Sequence, residues 1–144
     1  MQNLNVKSTG IALARQIGQV NLRKEKLINQ YLEPFDITAA QFKVLVAVHF
    51  YKMNAPVDIC HYLDINGGSM TRMVDRLVKK SVLDKRPNPE DKRGVLLALT
   101  ENGESLLMSC IEVMENTIGP LMVGDLSDQE VEQLNGLLQR LMPV

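Results

Sequence analysis

The sequence predicts a mainly α-helical chain that carries one small β-hairpin. Three observations support this. Apolar residues recur at three- and four-residue steps through most of the 144 positions. Strand-like runs occur at one place only, on either side of a turn with two prolines and a glycine between Val82 and Leu99. Thr38 and Ser127 each stand three positions before a Gln or Glu, the spacing of a helix-capping box. Apolar residues make up 45% and charged residues 23%, enough core material for a folded chain. The length suits one compact domain or one subunit of a symmetric oligomer, so residues 1–144 are read as a single subunit.

Each element follows from local pattern. A first helix is expected from about Ile11 to Leu32, on the stripe Leu13, Ile17, Val20, Leu27, Ile28 and Tyr31. Pro34 ends it, because proline lacks an N–H and crowds the residue before it. Thr38 and Gln41 then cap a second helix, with Ile37 placed to staple onto Phe42. That helix, Phe42 to Phe50, is apolar on nearly every face and is expected at the centre of the core. Pro56 opens a short helix with Val57, Ile59, Cys60 and Leu63 on its apolar side. Asp64 to Gly68 reads as a turn, with Gly67 and Gly68 as breakers.

Met70, Met73, Val74, Leu77 and Val78 form one stripe of the next helix, while Arg72, Arg76 and Lys80 form a basic line away from it. Strands Val82–Arg86 and Val95–Leu99 follow, and the loop Pro87–Gly94 between them reads as longer than a tight hairpin. Thr100 caps a helix striped by Leu106, Leu107, Cys110, Ile111, Met114 and Ile118, which Gly119-Pro120 interrupts. Ser127 and Glu130 open the last helix, on Val131, Leu134, Leu137, Leu138 and Leu141. The order is four helices, two strands and two helices.

The net charge of −1 hides an asymmetry. Residues 1–66 carry +2, residues 67–95 carry +4, and residues 96–144 carry −7. A short basic segment between less basic flanks is a local electrostatic footprint for nucleic acid. The competing reading is a solvated charged face. No window holds 18 consecutive apolar residues, the polar stretch Met1–Gly10 lacks a signal-peptide core, and a soluble, cytoplasmic chain is expected. Aromatics at 4%, with no Trp, argue against base stacking on an aromatic platform.

A short helix, a turn, a helix with a basic outer face and a basic-tipped hairpin together make a winged helix-turn-helix. A helix fits the major groove of DNA, where base edges carry a distinguishing pattern. Ser69, Thr71 and Arg72 lie at the N-terminal end of that helix, which reaches base edges, and lysine and arginine neutralise phosphates. Arg93 at the hairpin tip suits the strong negative potential of a minor groove. Taken singly, Arg76 pairs as readily with Asp75 or Asp84, and Lys79 and Lys80 as readily solubilise a helix end. Their joint occurrence favours DNA.

These residues also resemble the MarR family of bacterial transcription regulators. The resemblance is carried by Asp36-Ile37-Thr38-Ala39-Ala40-Gln41-Phe42-Lys43-Val44-Leu45, by Thr71-Arg72-Met73-Val74-Asp75-Arg76-Leu77-Val78, and by Pro87-Asn88-Pro89-Glu90-Asp91-Lys92-Arg93-Gly94-Val95 with Leu99-Thr100 behind it. It extends from about residue 11 to 142. It implies a homodimeric repressor, linked to antibiotic resistance, that binds a pseudo-palindromic double-stranded DNA operator. A winged lobe at about 36–99 would sit on dimerisation helices at about 10–33 and 100–142, and the acidic C-terminal part would lie away from DNA.

The resemblance places Ser69, Thr71, Arg72 and Arg76 on the recognition helix and Thr38 and Gln41 at phosphate. It places Arg93 at the minor-groove tip, with Asp91 holding the wing in shape. It also implies release of DNA by small aromatic or phenolic compounds, bound near Pro56, Thr71 and Lys85. Lys85 stands where close relatives carry arginine, so a bidentate carboxylate clamp becomes a point charge. A cysteine that close relatives carry near the end of the recognition helix is Lys79 here.

Other chemistries lack their residues. His49, Cys60 and His61 have no zinc-ligand spacing, so no metal is expected. Gly67-Gly68 is no phosphate loop, and no nucleophile–base pair is recognisable, so neither an enzyme nor a cofactor is expected. Cys60 and Cys110 fall on apolar helix faces, where thiols are commonly inert. The competing function is a helical interaction module that captures an acidic partner through the same basic strip. A wing-tip arginine beside Arg72 and Arg76 favours DNA over it.

Overall fold

The structure is a computed structural model in which residues 9–143 are described; the polar stretch Met1–Ser8 and Val144 lie outside them. Helix α1 spans Thr9–Leu32 and ends in a single 3-10 turn, Glu33–Phe35, that contains Pro34. Helices α2 (Ala39–His49), α3 (Pro56–Leu63) and α4 (Gly67–Lys79) follow. Strands β1 (Leu83–Asn88) and β2 (Asp91–Leu99) pair antiparallel, with Leu83 opposite Leu99 and Arg86 opposite Leu96. The chain closes with α5 (Glu101–Val113), a π turn at Met114–Ile118, α6 (Gly119–Val123) and α7 (Asp128–Leu141). This is a winged helix-turn-helix set on long terminal helices.

The core is built around α2. Ala39, Phe42, Val44, Leu45, Ala47 and Val48 are all buried, as an all-round apolar helix requires. Gln41 is buried as well, 6% exposed, and is satisfied by the capping box. The Thr38 N–H donates to its side-chain oxygen at 3.1 Å, and the Gln41 N–H donates to Thr38 Oγ1 at 3.1 Å. Ser127 and Glu130 repeat the device at α7. Those hydrogen bonds hold the Glu130 carboxyl below the usual carboxylate range.

Three local expectations are corrected. Gly67 and Gly68 do not break the chain; they form the first turn of α4. Asn66 is the cap, its side-chain oxygen accepting the Ser69 N–H at 2.8 Å, and once a cap is present glycine needs no special backbone conformation. The hairpin is tight, with only Pro89 and Glu90 between the strands. In a two-stranded ribbon prolines can occupy the unpaired edge, and a register shift at Pro87/Asn88 accommodates the rest. Gly119-Pro120 does not end its helix either. The π turn sends the Gly119 N–H back to the Met114 carbonyl, and Pro120 sits at the start of the next segment, where its missing N–H costs little.

Two surfaces matter for assembly. Helix α7 buries none of its own residues, and Leu134, Leu137 and Leu141 face solvent. So do Ile11, Leu13, Ile17 and Val20 of α1. By length and mean hydropathy the continuous helix Glu101–Val123 is apolar enough to cross a bilayer. Leu107, Cys110 and Ile118 are buried where the helix packs on α1 and α2, while most of its apolar window is not covered within one subunit.

Gly103 marks the closest approach between α5 and the wing. A Cβ there would run into the Val82 carbonyl oxygen, which already accepts the Thr100 N–H at 3.1 Å. Gly103→Ala is therefore expected to destabilise the fold by about 1–3 kcal/mol, read as a lowered thermal midpoint.

Candidate nucleic-acid interface

The apolar edge of α4 decides what its other side presents. Met70, Val74 and Leu77 are buried, at 2%, 4% and 0% exposure. The helical repeat then turns Arg72 and Arg76 outward, and both are exposed. Thr38, Gln41, Ser69, Arg72, Met73 and Arg76 line one shallow hollow of about 220 Å³, between the start of α2 and the outer face of α4. Five of the residues named from the sequence thus converge from two helices. Arg72 lies along its own helix, with Nη2 donating to Ser69 Oγ at 3.4 Å. The Thr71 hydroxyl donates to the Gly67 carbonyl at 2.9 Å.

The basic line is shorter than the sequence suggests. Lys80 turns back to the start of α2, donating to the Asp36 carbonyl at 2.6 Å and pairing with its carboxylate at 2.8 Å. This contact ties the end of α4 to the mouth of α2. Lys85 pairs with Asp75 at 2.7 Å. Among the described residues Arg72, Arg76 and Arg93 have no acid within 4.0 Å, so the expected alternative for Arg76, an ion pair with Asp75 or Asp84, is absent.

The wing tip is organised by side chains acting on backbone. Asp91 Oδ1 accepts the Arg93 N–H at 3.0 Å, and Asn88 Oδ1 accepts the Glu90 N–H at 3.0 Å. Both are local turns of the kind these residues favour. They leave the Arg93 side chain exposed.

Pro56, Thr71 and Lys85 line a separate cavity of about 460 Å³ between α3, α4 and the hairpin. Val57, Cys60, Met70, Val74 and Val95 supply mostly apolar walls. Periodicity alone assigns these residues to the core, so no sequence signal marked them as lining. The two thiols differ. Cys60 is half-buried on this wall, whereas Cys110 is fully buried and burial pushes its thiol up to about 11.

The MarR family profile matches residues 37–95. The chain is 41% identical over 133 residues to the multiple antibiotic resistance protein MarR of Escherichia coli K12, covering 92% of each sequence. It is 39% identical to the Salmonella typhimurium protein of that name, with the same coverage. The chain belongs to the MarR family. It superposes on crystalline wild-type apo MarR from E. coli with a TM-score of 0.84 at 40% identity, covering 91% of this chain and 97% of that one. A mutant E. coli MarR complexed with operator DNA gives a TM-score of 0.81 at 41% identity, covering 92% and 95%. As a MarR-family member the chain is a DNA-binding transcription regulator and not an enzyme.

Sequence reasoning missed two positioning residues of this MarR-type lobe. Asn29 of α1 accepts the Ala39 N–H at 2.8 Å and so helps aim α2, and Asn66 aims α4. Only the position of Asn66 before a helical stripe could have revealed its role. Asn66→Ala is expected to cost about 1 kcal/mol of stability and to weaken DNA binding as the first turn of α4 frays. Denaturant unfolding and a duplex-binding titration check the two effects.

Proposed function

We propose that two copies of the chain form a homodimer that represses transcription from a pseudo-palindromic operator in the cytoplasm. The observation that carries this reading is the set of unpaired arginines. Among the described residues Arg72 and Arg76 face the same hollow as Thr38 and Gln41 with no acid within 4.0 Å, while Lys80 and Lys85 are both engaged. Exposed, unpaired guanidinium groups on a helix of groove-fitting size suit base edges and phosphates. In this reading Ser69, Thr71, Arg72 and Arg76 face the major groove, and Thr38 meets phosphate beside Gln41, whose 6% exposure leaves it chiefly to hold the Thr38 cap. Arg93 enters the minor groove from a wing shaped by Asp91.

The exposed apolar stripes of α1 and α7 are the surfaces that a second copy covers. Segments of about 10–33 and 100–142 supply the dimer and about 36–99 supplies the DNA lobe. Two recognition helices then engage one duplex face at half-sites about 34 Å apart. Arg72→Ala should cost about 1–3 kcal/mol per half-site. Arg93→Ala should flatten the slope of log K against log salt by about one per subunit. Selection from random duplexes, followed by titration of the enriched site at several salt concentrations, measures both. Enrichment of no symmetric site, or wild-type affinity in both variants, would sink the assignment.

The cavity at Pro56, Thr71 and Lys85 is the effector site in this reading, and its walls suit a small aromatic or phenolic body. Lys85 is already paired, so an incoming carboxylate must share it with Asp75. Phenols should therefore release DNA at lower concentration than aromatic acids of the same size. Asp75→Ala should sharpen the response to aromatic acids severalfold, in keeping with the roughly 0–1 kcal/mol of an exposed pair. Fluorescence anisotropy of a labelled operator reads both. An unchanged aromatic-acid response in Asp75→Ala and Lys85→Ala would remove Lys85 from the site.

A further inference from the structure

The hairpin borders a second hollow, which Leu97, Ala98 and Leu99 of β2 line together and which therefore touches residues of both ribbon faces. Lys85 and Arg86 are neighbours in β1, and neighbours in a strand point to opposite faces. Lys85 and Val95 line the apolar cavity described above, whereas Arg86 and Ala98 line a separate hollow of about 250 Å³. Its remaining polar walls come from His49 at the end of α2, from Lys52 and Asn54 in the turn that follows, and from Glu104 in the first turn of α5. None of the DNA-reading residues takes part.

Three features mark it as built to hold an anion. First, its cations are not engaged in ion pairs. Arg86 and Lys52 have no acid within 4.0 Å among the described residues, although Glu104 is on the rim and Asp84 is on the same ribbon face. Second, Lys52 is held at φ 57°, the left-handed region that favours glycine or asparagine. The Met53 N–H donates to the Ala47 carbonyl at 3.1 Å, so the end of α2 dictates that conformation but not a lysine to adopt it. Third, the turn is pinned to the ribbon. The Leu97 N–H donates to the Asn54 carbonyl at 2.8 Å, so the backbones carrying Lys52 and Arg86 are held in fixed relation.

We propose that this hollow binds a small phosphoryl anion, free or as a phosphate monoester, between Arg86, Lys52 and His49. A planar carboxylate is satisfied by one guanidinium fork. A tetrahedral phosphoryl group spreads its peripheral oxygens in three directions, which suits donors arriving from a strand, a turn and a helix end. Glu104 is placed to accept a hydrogen bond from a hydroxyl on the ester. The site does not depend on the DNA or effector assignments.

The test is calorimetric titration of the full chain with inorganic phosphate, glycerol 3-phosphate and citrate at matched ionic strength, with thermal melts alongside. Both phosphates are expected to bind more tightly than citrate. Arg86→Ala and Lys52→Gly should each weaken phosphate binding by about tenfold or more, the scale of a lost charge-assisted hydrogen bond. Lys52→Gly should melt at or above wild type without ligand, because glycine relieves the backbone, which separates lost binding from lost folding. Lys26→Ala, which removes an exposed charge on α1, should bind as wild type. Tighter binding of citrate, or equal binding by wild type and both hollow variants, overturns the proposal. The second outcome would reduce any melting shift to general exclusion of phosphate from the surface. An Arg86→Ala protein that keeps phosphate binding but loses DNA affinity overturns it too, and makes Arg86 a duplex contact.

Discussion

Met70, Val74 and Leu77 run along one edge of α4 and are almost wholly withdrawn from water. Each such side chain is worth roughly 1.5–3 kcal/mol on burial. Turning α4 by one residue would expose part of this edge and drive a charged neighbour, Asp75 or Arg76, toward the core. No surface ion pair, at roughly 0–1 kcal/mol, could offset that. The apolar edge therefore sets the rotation of α4, the Asn66 cap sets where it begins, and left-handed Ser81, with the Val82 N–H returned to the Leu77 carbonyl, sets where it ends. The outward direction of Arg72 and Arg76 follows from those constraints. The proposed DNA-facing surface is in this sense a by-product of the core.

The hairpin applies the same logic with a period of two. Residues alternate across the ribbon, so one strand serves two surfaces without conflict. Lys85 and Val95 close an apolar cavity against α3 and α4, and Arg86, on the opposite face, lines a second hollow with residues of α2 and α5. The outer edge of β2 is not left open, because Asn54 accepts the Leu97 N–H. That bond and the Thr100 N–H to the Val82 carbonyl hold the base of the wing to the body, while among the described residues the side-chain hydrogen bonds of the tip are its own, from Asn88 and Asp91.

What the sequence made legible was whatever depends on period. The stripe of α4, the capping boxes at Thr38 and Ser127, and the buried character of α2 all stand where pattern put them. The misreadings share one cause, which is that glycine and proline act through context. Gly67 and Gly68 look like breakers until the Asn66 cap is counted. Pro87 and Pro89 look like loop until the ribbon proves to have only two strands. Gly119-Pro120 looks like a stop until a π turn absorbs it. At the proposed interface, residue types marked Arg72, Arg76 and Arg93. No local pattern could show that Lys80 is spent on Asp36, 44 positions away in sequence. The Arg86 hollow was equally hidden, since it joins residues from four separate stretches of chain.

These contacts are unequal in strength, and that ranking bears on how an effector could act. In the proposed effector site an occupant touches α3, α4 and both strands at once. The α4 edge is bound into the core by several kilocalories per mole, so it stays in place. The Lys85–Asp75 pair is exposed on both sides, with 42% and 57% of each side chain open to solvent, and it is the polar tie between β1 and α4 at the cavity. On the proposed effector reading, an occupant that competes for Lys85 would break the weaker contact and let the wing move against a stationary helix. Arg93 and Arg72 would then no longer match one duplex together. Linkage requires the converse: bound DNA, by fixing the wing, must weaken the occupant's affinity by the same factor.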